Sequence, residues 1–349
     1  MKYVISIIIP IHNGDKWINN CFNAILHQSA IGLLDLEICV CNDASTDKTL
    51  ELLDEWKHVF NQKGVPLHVF NNISGVPQGV GYAKNKAVSI SNGDYLCFQD
   101  IDDVMLENRI LFQYNQAIKE PFNTIVGCKF KREPENSTVR YTKWANSLLQ
   151  EQLNVQIYTS HGPTVIMPTW FCNRTVFDSI GGFSEKGKGE PEDLLFFYKH
   201  LDLGGKICRV DECLLIYNYH VNATTFSIHE DTIWNIRIER VERDILSKWS
   251  QFTIWNAGKQ GRKFFNSLKK ENRSKVIAMC DINANLIGRD YMPYSVKTRK
   301  VECSIPIVHF KDAKPPFIIC VKMDMTDGAF ESNLQSLDLQ EDRDYILFS

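Results

Sequence analysis

The sequence predicts an α/β protein with two parts. A large domain over residues 1–249 is built on a mostly parallel central sheet, and a smaller Rossmann-like α/β domain spans residues 250–349. Three observations predict it. Short apolar runs alternate with stretches of helical spacing over the first hundred residues, the pattern of a parallel sheet with helices on both faces. The alternation restarts near Gln251. The chain's 349 residues suffice for two ordinary domains, and a composition of 44% hydrophobic and 23% charged residues excludes a disordered, collagen-like or coiled-coil chain.

Taken in order, Ile5–Ile9 reads as a buried strand, four isoleucines interrupted only by Ser6 and stopped by Pro10. Trp17, Cys21, Ile25 and Leu26 follow at helical spacing. Leu36–Cys41 is a second strand, in which Cys39 and Cys41 point to one buried side. After the polar turn Asp43–Thr46, Leu50, Leu53, Trp56 and Phe60 mark a helix opened by a Ser or Thr cap. Pro66–Phe70 is a third strand, Gly79–Ile90 a helix of small residues, and Tyr95–Phe98 a fourth strand. In such sheets ligands bind at the carboxyl ends of the strands.

Residues 129–160 are polar, carry Lys129, Lys131, Arg132, Arg140 and Lys143, and read as a long connection facing an acceptor. Glu192–Leu203 and Ile228–Trp249 read as helices, the second with a core stripe of Ile238, Val241, Ile245 and Trp249. In the smaller domain, strand Phe252–Trp255 leads into Asn256-Ala257-Gly258-Lys259-Gln260-Gly261, then a helix, then strand Val276–Cys280 ending in Asp281. This outlines a dinucleotide-binding opening with Asn256 in place of the first glycine, a departure that favours a structural turn over bound NAD. Ile305–Val308, Phe317–Val321 and Tyr345–Phe348 supply further strands.

Charge is unevenly spread. The net charge is −3, yet residues 250–323 hold 14 Lys and Arg against 5 Asp and Glu. Lys259, Arg262, Lys263, Lys269 and Lys270 lead this run, which suits a phosphate backbone or a merely solvated surface. No apolar run approaches the eighteen residues of a membrane span, and the N-terminus lacks a small-residue cleavage site. The expectation is a cytoplasmic protein without a membrane or protein partner, its eleven cysteines reduced.

Four clusters carry chemistry. Ile9-Pro10-Ile11-His12-Asn13 leaves the first strand, where Pro10 stiffens an exit beside a nucleotide base. Asn42-Asp43-Ala44-Ser45-Thr46-Asp47 leaves the second; Asp43 can accept a hydrogen bond from a base N–H, or Asp43 or Ser45 can cap the next helix. Asp100-Ile101-Asp102-Asp103 leaves the fourth, and three carboxylates so close are tolerable around Mg²⁺ or Mn²⁺. Glu192 and Asp193 open a helix whose dipole favours their ionised forms; they cap its N-terminus or take a proton from an attacking hydroxyl. His220, after Tyr217-Asn218-Tyr219, is a metal or diphosphate ligand or a structural histidine.

The ordered set Ile8-Ile9-Pro10, Asn42-Asp43-Ala44-Ser45-Thr46-Asp47, Ala83-Lys84-Asn85, Asp100-Ile101-Asp102-Asp103, Gly181-Gly182-Phe183 and Glu192-Asp193 resembles the family 2 inverting glycosyltransferases of the GT-A fold over about residues 1–230. The resemblance implies a UDP-sugar site formed by Pro10, His12, Asn13, Asp43, Lys84, Asp100, Trp170 and Glu192. It implies metal ligation by Asp102 and His220, with Mn²⁺ or Mg²⁺, and catalysis by Asp193 as base. Asn42 departs from a common Asp, and Lys84 from Arg, trading a fork of donors for a point charge. Within the family the whole chain resembles the tRNA-queuosine galactosyltransferases, implying UDP-galactose as donor and queuosine in tRNA(Tyr) as acceptor. A cytosolic β-1,3-N-acetylglucosaminyltransferase using UDP-N-acetylglucosamine is the alternative.

Overall fold

The computed structural model describes residues 3–220, 227–295 and 299–349. It divides into two units: Met1–Asn154 with Pro163–Ile228, and Val155–Gly162 with His229–Ser349.

The first unit opens with β1 (Val4–Ile11), α1 (Asp15–Leu26), β2 (Asp35–Asn42), α2 (Thr49–Gln62), β3 (Leu67–Asn71), α3 (Val80–Ser89) and β4 (Tyr95–Phe98). Then follow β5 (Val104–Met105), α4 (Arg109–Ala117), β6 (Thr124–Glu133), α5 (Val139–Ser147), β7 (Phe171–Asn173), α6 (Arg174–Ile180), α7 (Glu192–Asp202) and β8 (Lys206–Asn218). Eight strands form one sheet in the order β3-β2-β1-β4-β7-β6-β8-β5. β1 runs parallel to β2 and β4, β2 to β3, and β6 to β8, while β7 and β5 pair antiparallel.

The strands that read as near-continuous apolar runs are buried on both faces, as a parallel sheet requires. Ile5, Ile7, Ile8 and Ile9 of β1 and Ile38, Cys39, Val40 and Cys41 of β2 are all fully buried. Ile18, Cys21, Phe22 and Ile25 lay the apolar stripe of α1 onto this core, joined by Leu53 and Phe60 of α2. The expected strands and helices up to Phe98 form within a residue or two of their expected ends. The cap of α2 differs. Neither Ser45 nor Thr46 serves it; Asp47 Oδ1 accepts from Thr49 N at 3.0 Å.

Residues 129–160 are not one long connection. Thr124–Glu133 is a ten-residue strand and Val139–Ser147 a helix. The polar composition hid a period of two, in which Phe130 and Arg132 are buried while Lys131 and Glu133 are exposed.

The second unit begins with α8 (Glu230–Val241), β9 (Phe252–Trp255), α9 (Lys259–Ser267), α10 (Lys270–Arg273) and β10 (Val276–Asp281). After β11 (Asp290–Tyr291), β12 (Tyr294–Ser295) and β13 (Lys300–Val301) come β14 (Ile305–His309), β15 (Phe317–Ile319), α11 (Ala329–Gln335) and β16 (Tyr345–Leu347). Its main sheet runs β11-β14-β10-β9-β15-β16, all pairs parallel except β11 with β14. Trp255, Cys280, Phe310, Phe317 and Phe330 form its core. The unit begins earlier than residue 250 because α8 packs within it. Arg237 Nε donates to the Tyr158 carbonyl at 2.8 Å, and Trp234 meets Phe348 edge-on at 5.1 Å.

All eleven cysteines are free, and only Cys213 and Cys303 are exposed. Burial pushes the thiols of Cys41 and Cys128 up to about 12, so they act as small hydrophobes. No described helix is long and apolar enough to cross a membrane.

Candidate active site

The carboxyl ends of β1, β2 and β4 deliver the loops of the first unit's polar site. Pro10 lies inside β1, buried and paired with Cys41, rather than at the strand exit. The exit is Ile11-His12-Asn13. His12 and Asn13 are both exposed. His12 Nδ1 lies 2.7 Å from the Asp43 carbonyl. Asn13, at a φ of 53°, donates its N–H to Ser45 Oγ at 2.8 Å and accepts from Thr46 N at 2.8 Å. This left-handed turn, tolerated by Asn, ties the first two loops together.

Asp43 does not take the capping reading. It is 2% exposed. Oδ1 accepts from Asn72 Nδ2 at 2.7 Å, and Oδ2 accepts from the N–H groups of Gln78 and Gly79, each at 2.8 Å. It therefore does not cap α2. It fixes the segment leading into α3. Asn72 and Gln78 were missed, since nothing in a loop sequence encodes which distant carboxylate it wraps.

After β4, Asp100, Asp102 and Asp103 bring one carboxylate oxygen each within 4.8 Å of one another. Burial pushes Asp100 up to about 7; Asp102 adds to this and the Lys84 cation opposes it. Asp103 is 1% exposed. One of its oxygens accepts from Asn218 N at 2.9 Å, while Oδ2 is buried without a partner. Burial, then Asp102 and Asp100, push its carboxyl well above the usual range.

His220 Nε2 lies 2.7 Å from Asp102 Oδ2, and its ring stacks on Trp17 at 5.4 Å. His220 Nδ1 is buried with no partner among the described residues. Three hard oxygens, an imidazole and an orphaned buried carboxylate oxygen suit a divalent cation such as Mg²⁺ or Mn²⁺. Asp102 and His220 were expected to hold it; Asp100 and Asp103 join them geometrically.

The third component comes from α3 and the start of α7. Lys84 is 1% exposed, and its Nζ donates to Glu192 Oε1 at 2.9 Å. It lies 5.0 Å from the Phe183 ring. Burial works against its charge, but Glu192 and Asp100 hold its ammonium above the ordinary value. Glu192 is 8% exposed. Lys84 and Glu192 are therefore paired with each other. They also set the charge around their neighbours. Asp193 is partly buried, and its Oδ1 accepts from Leu194 N at 2.7 Å. Burial and then Glu192 push it up to about 6, against the pull of Lys84. Asp100 feels Lys84, Asp102, Glu192 and Asp193 together. The acid groups from two distant stretches of chain thus share one electrostatic neighbourhood.

Trp170 does not line this pocket. It is fully buried, donates Nε1–H to the Val165 carbonyl at 2.9 Å, and packs on Phe196 at 5.5 Å. An indole flanked by Thr169 and Phe171 reads equally as site or core, and the core took it.

The cationic run belongs to the second unit and is partly spent there. Lys263 pairs with Asp231 at 3.0 Å and covers the Trp234 ring at 4.4 Å. Arg262 donates Nε–H to the Ala257 carbonyl at 2.8 Å. Lys259, Lys269 and Lys270 are exposed. In the glycine turn, a Cβ at Gly261 would lie 1.8 Å from the Asn256 carbonyl oxygen. Asp281 Oδ2 accepts from Ala257 N at 2.9 Å. The turn is a close strand–helix contact, and its acid is occupied by backbone.

Residues 6–181, just over half of the chain, match the profile of Glycosyl transferase family 2. The chain belongs to that family, and it is a glycosyltransferase. It is 28% identical over 226 residues to the glycosyltransferase GlyG of Streptococcus pneumoniae, covering 62% of this chain and 71% of that one. Its fold is similar to Staphylococcus aureus TarS in complex with UDP-GlcNAc, at TM-score 0.51 and 18% identity over 78% of this chain and 71% of that one. It is also similar to the Pyrobaculum calidifontis mannosyltransferase in complex with GDP-Man and Mn²⁺, at TM-score 0.50 and 16% identity over 70% of this chain and 65% of that one. The first unit has the GT-A α/β fold with its mostly parallel sheet.

Proposed function

We propose that this glycosyltransferase moves galactose from UDP-galactose to the cyclopentene diol of queuosine in the anticodon of tRNA(Tyr). The observation that carries the transfer chemistry is the meeting of Asp100, Asp102 and Asp103 within 4.8 Å, in the field of Asp193. The choice of acceptor rests on the resemblance of the whole chain to queuosine-tRNA galactosyltransferase and on the exposed Lys259, Lys269 and Lys270. We read the second unit as a Rossmann-like domain, its parallel order β14-β10-β9-β15-β16 being that of a doubly wound sheet.

Asp193 takes the proton of the attacking hydroxyl on its carboxylate. The hydroxyl oxygen forms a bond to the anomeric carbon as the bond from that carbon to the β-phosphate oxygen breaks, and UDP leaves. One displacement inverts the anomeric centre. Asp100, Asp102, Asp103 and His220 would hold the divalent cation, which when bound supplies counter-charge for the departing diphosphate, worth several kcal/mol. Glu192 is neutralised by Lys84, which leaves the negative field at Asp193 moderate enough for it to ionise near neutral pH.

A second reading is transfer of N-acetylglucosamine to a glycan or glycoside, favoured by the likeness to TarS bound to UDP-GlcNAc. Mass spectrometry of tRNA nucleosides, after incubation with the purified protein and each UDP-sugar in Mn²⁺, tests both. Hexosylated queuosine is expected from UDP-galactose alone and is lost on chelation. Transfer only from UDP-N-acetylglucosamine to free galactosides would replace the first reading with the second.

A further inference from the structure

Arg132 stands in β6 with a charge that the protein leaves uncompensated. It is 9% exposed, and its Nε is buried without a hydrogen-bond partner. Among the described residues no carboxylate pairs with it. Aromatic faces surround the guanidinium instead: Tyr217 at 4.2 Å, Tyr141 at 5.2 Å, Tyr219 at 5.4 Å and Phe130 at 5.9 Å. Cation–π contacts offset part of the desolvation but satisfy none of the five N–H donors. A buried, unpaired charge of this kind is costly, and an anion arriving at the fork would complete it.

Its place in the fold indicates which anion. Arg132 pairs in register with Tyr217. The next residue, Asn218, donates to Asp103 Oδ1 and to the Asp102 carbonyl. The Tyr217 hydroxyl feels Asp103, Asp100, Arg132 and Asp102 together, and the Tyr141 hydroxyl feels Arg132 and Asp193. A bare anion would be repelled by so many carboxylates. A diphosphate that brings a divalent cation satisfies both sides, its cation meeting the carboxylates and an oxygen meeting the guanidinium.

We propose that Arg132, held flat by its tyrosine cage, is a phosphate-reading residue that binds the diphosphate of the sugar nucleotide opposite the acid cluster. This rests on the sugar-nucleotide reading above. It stands on β6, the strand that the polar stretch 129–160 conceals.

The test is calorimetric titration of the full-length protein with UDP and with uridine, each in Mn²⁺, alongside thermal melting. For R132M, which keeps the bulk and removes the charge, UDP binding falls about tenfold or more. Uridine binding is unchanged, and the melting temperature is equal to or above the wild type's because an unpaired buried charge has gone. R132K recovers part of the UDP affinity as a point charge. Should R132M fail to fold, R132Q carries the same comparison. Wild-type affinity for UDP in the variant overturns the proposal, as does an equal loss of UDP and uridine with a lowered melting temperature, which marks a structural residue. Failure of the wild-type protein to bind UDP would instead overturn the sugar-nucleotide reading.

Discussion

Asp193, the base of the proposed mechanism, can take a proton only when ionised, and its surroundings set when that is. Burial and Glu192 push it up to about 6, so turnover should rise with pH through about 6 and level off above it. Asp193→Asn should cost about 10²-fold or more in turnover. The same shift has a stability sign. A carboxyl whose folded pKa exceeds its unfolded value stabilises the folded state at low pH, and that stability is lost as pH rises from about 4 through about 6. The loss is up to about 3 kcal/mol. Asp193→Asn should therefore melt higher than wild type at pH 8 and no higher at pH 4, while remaining nearly inactive. A variant that melts lower at pH 8 would show that the site does not strain Asp193. Lys84 has the opposite character. Removing it in Lys84→Met leaves Glu192 buried and unpaired, which should cost about 3–5 kcal/mol by urea unfolding. Adding Glu192→Gln should restore part of that stability without restoring activity.

At the scale of elements, the site depends on packing that brings α3 and α7 together. Gly81 of α3 has no room for a side chain: a Cβ there would lie 2.1 Å from the Ser184 carbonyl oxygen and 3.5 Å from Glu192 Cγ. Gly81→Ala should destabilise by about 1–3 kcal/mol and displace the Lys84–Glu192 pair. Trp170 supports α7 from beneath through Phe196 and Phe197. Trp170→Phe should keep UDP affinity while Trp170→Ala loses about 3–5 kcal/mol of stability; loss of UDP binding in a stably folded Trp170→Phe would return the indole to the pocket. These elements also mark what was legible in the sequence. β1, β2 and β4 announced themselves because strands buried on both faces are near-continuous apolar runs, here interrupted only where Ser6 bonds Glu37. The acid groups at 100, 102 and 103 stood out because three carboxylates clustered at a strand end repel one another unless a cation joins them. β6 was hidden because a buried arginine and flanking lysines make a period-2 strand look like loop. The roles of Asp43, Lys84 and Glu192 were hidden because each is spent on a partner at least 29 residues away in sequence, and pairing at that separation leaves no local pattern. Trp170 was misplaced for the related reason that an aromatic flanking a strand serves a core or a pocket equally well.

For the whole molecule, the proposed tRNA acceptor raises the question of how an acidic transferase would hold a polyanion. The donor-side carboxylates repel phosphate, and the net charge of −3 gives no general attraction. Any tRNA affinity must then come from local cations whose charge is not already paired. The segment from 250 to 323 is the cationic part of the sequence, but Lys263 is committed to Asp231 and Arg262 to the Ala257 carbonyl. Lys259, Lys269 and Lys270 keep their exposure, although Lys269 Nζ lies 3.9 Å from Glu242. At that exposure and distance the pair is weak, so Lys269 remains able to meet a phosphate. Charge reversal of these three lysines in the full-length protein should weaken tRNA binding at every sequence tested. It should also flatten the plot of log affinity against log salt by about 0.7–0.9 for each phosphate no longer neutralised. Reversal of Lys263 alone should have a smaller effect, because it also breaks an ion pair that competes with RNA. Turnover at saturating tRNA should stay within about twofold of wild type in the triple variant, since the acid groups all lie in the other unit. Filter binding over a range of salt concentrations reads the slope directly. An unchanged slope would move the RNA-binding surface away from this segment, and unchanged affinity for glycosides with no tRNA binding would favour the N-acetylglucosaminyl reading.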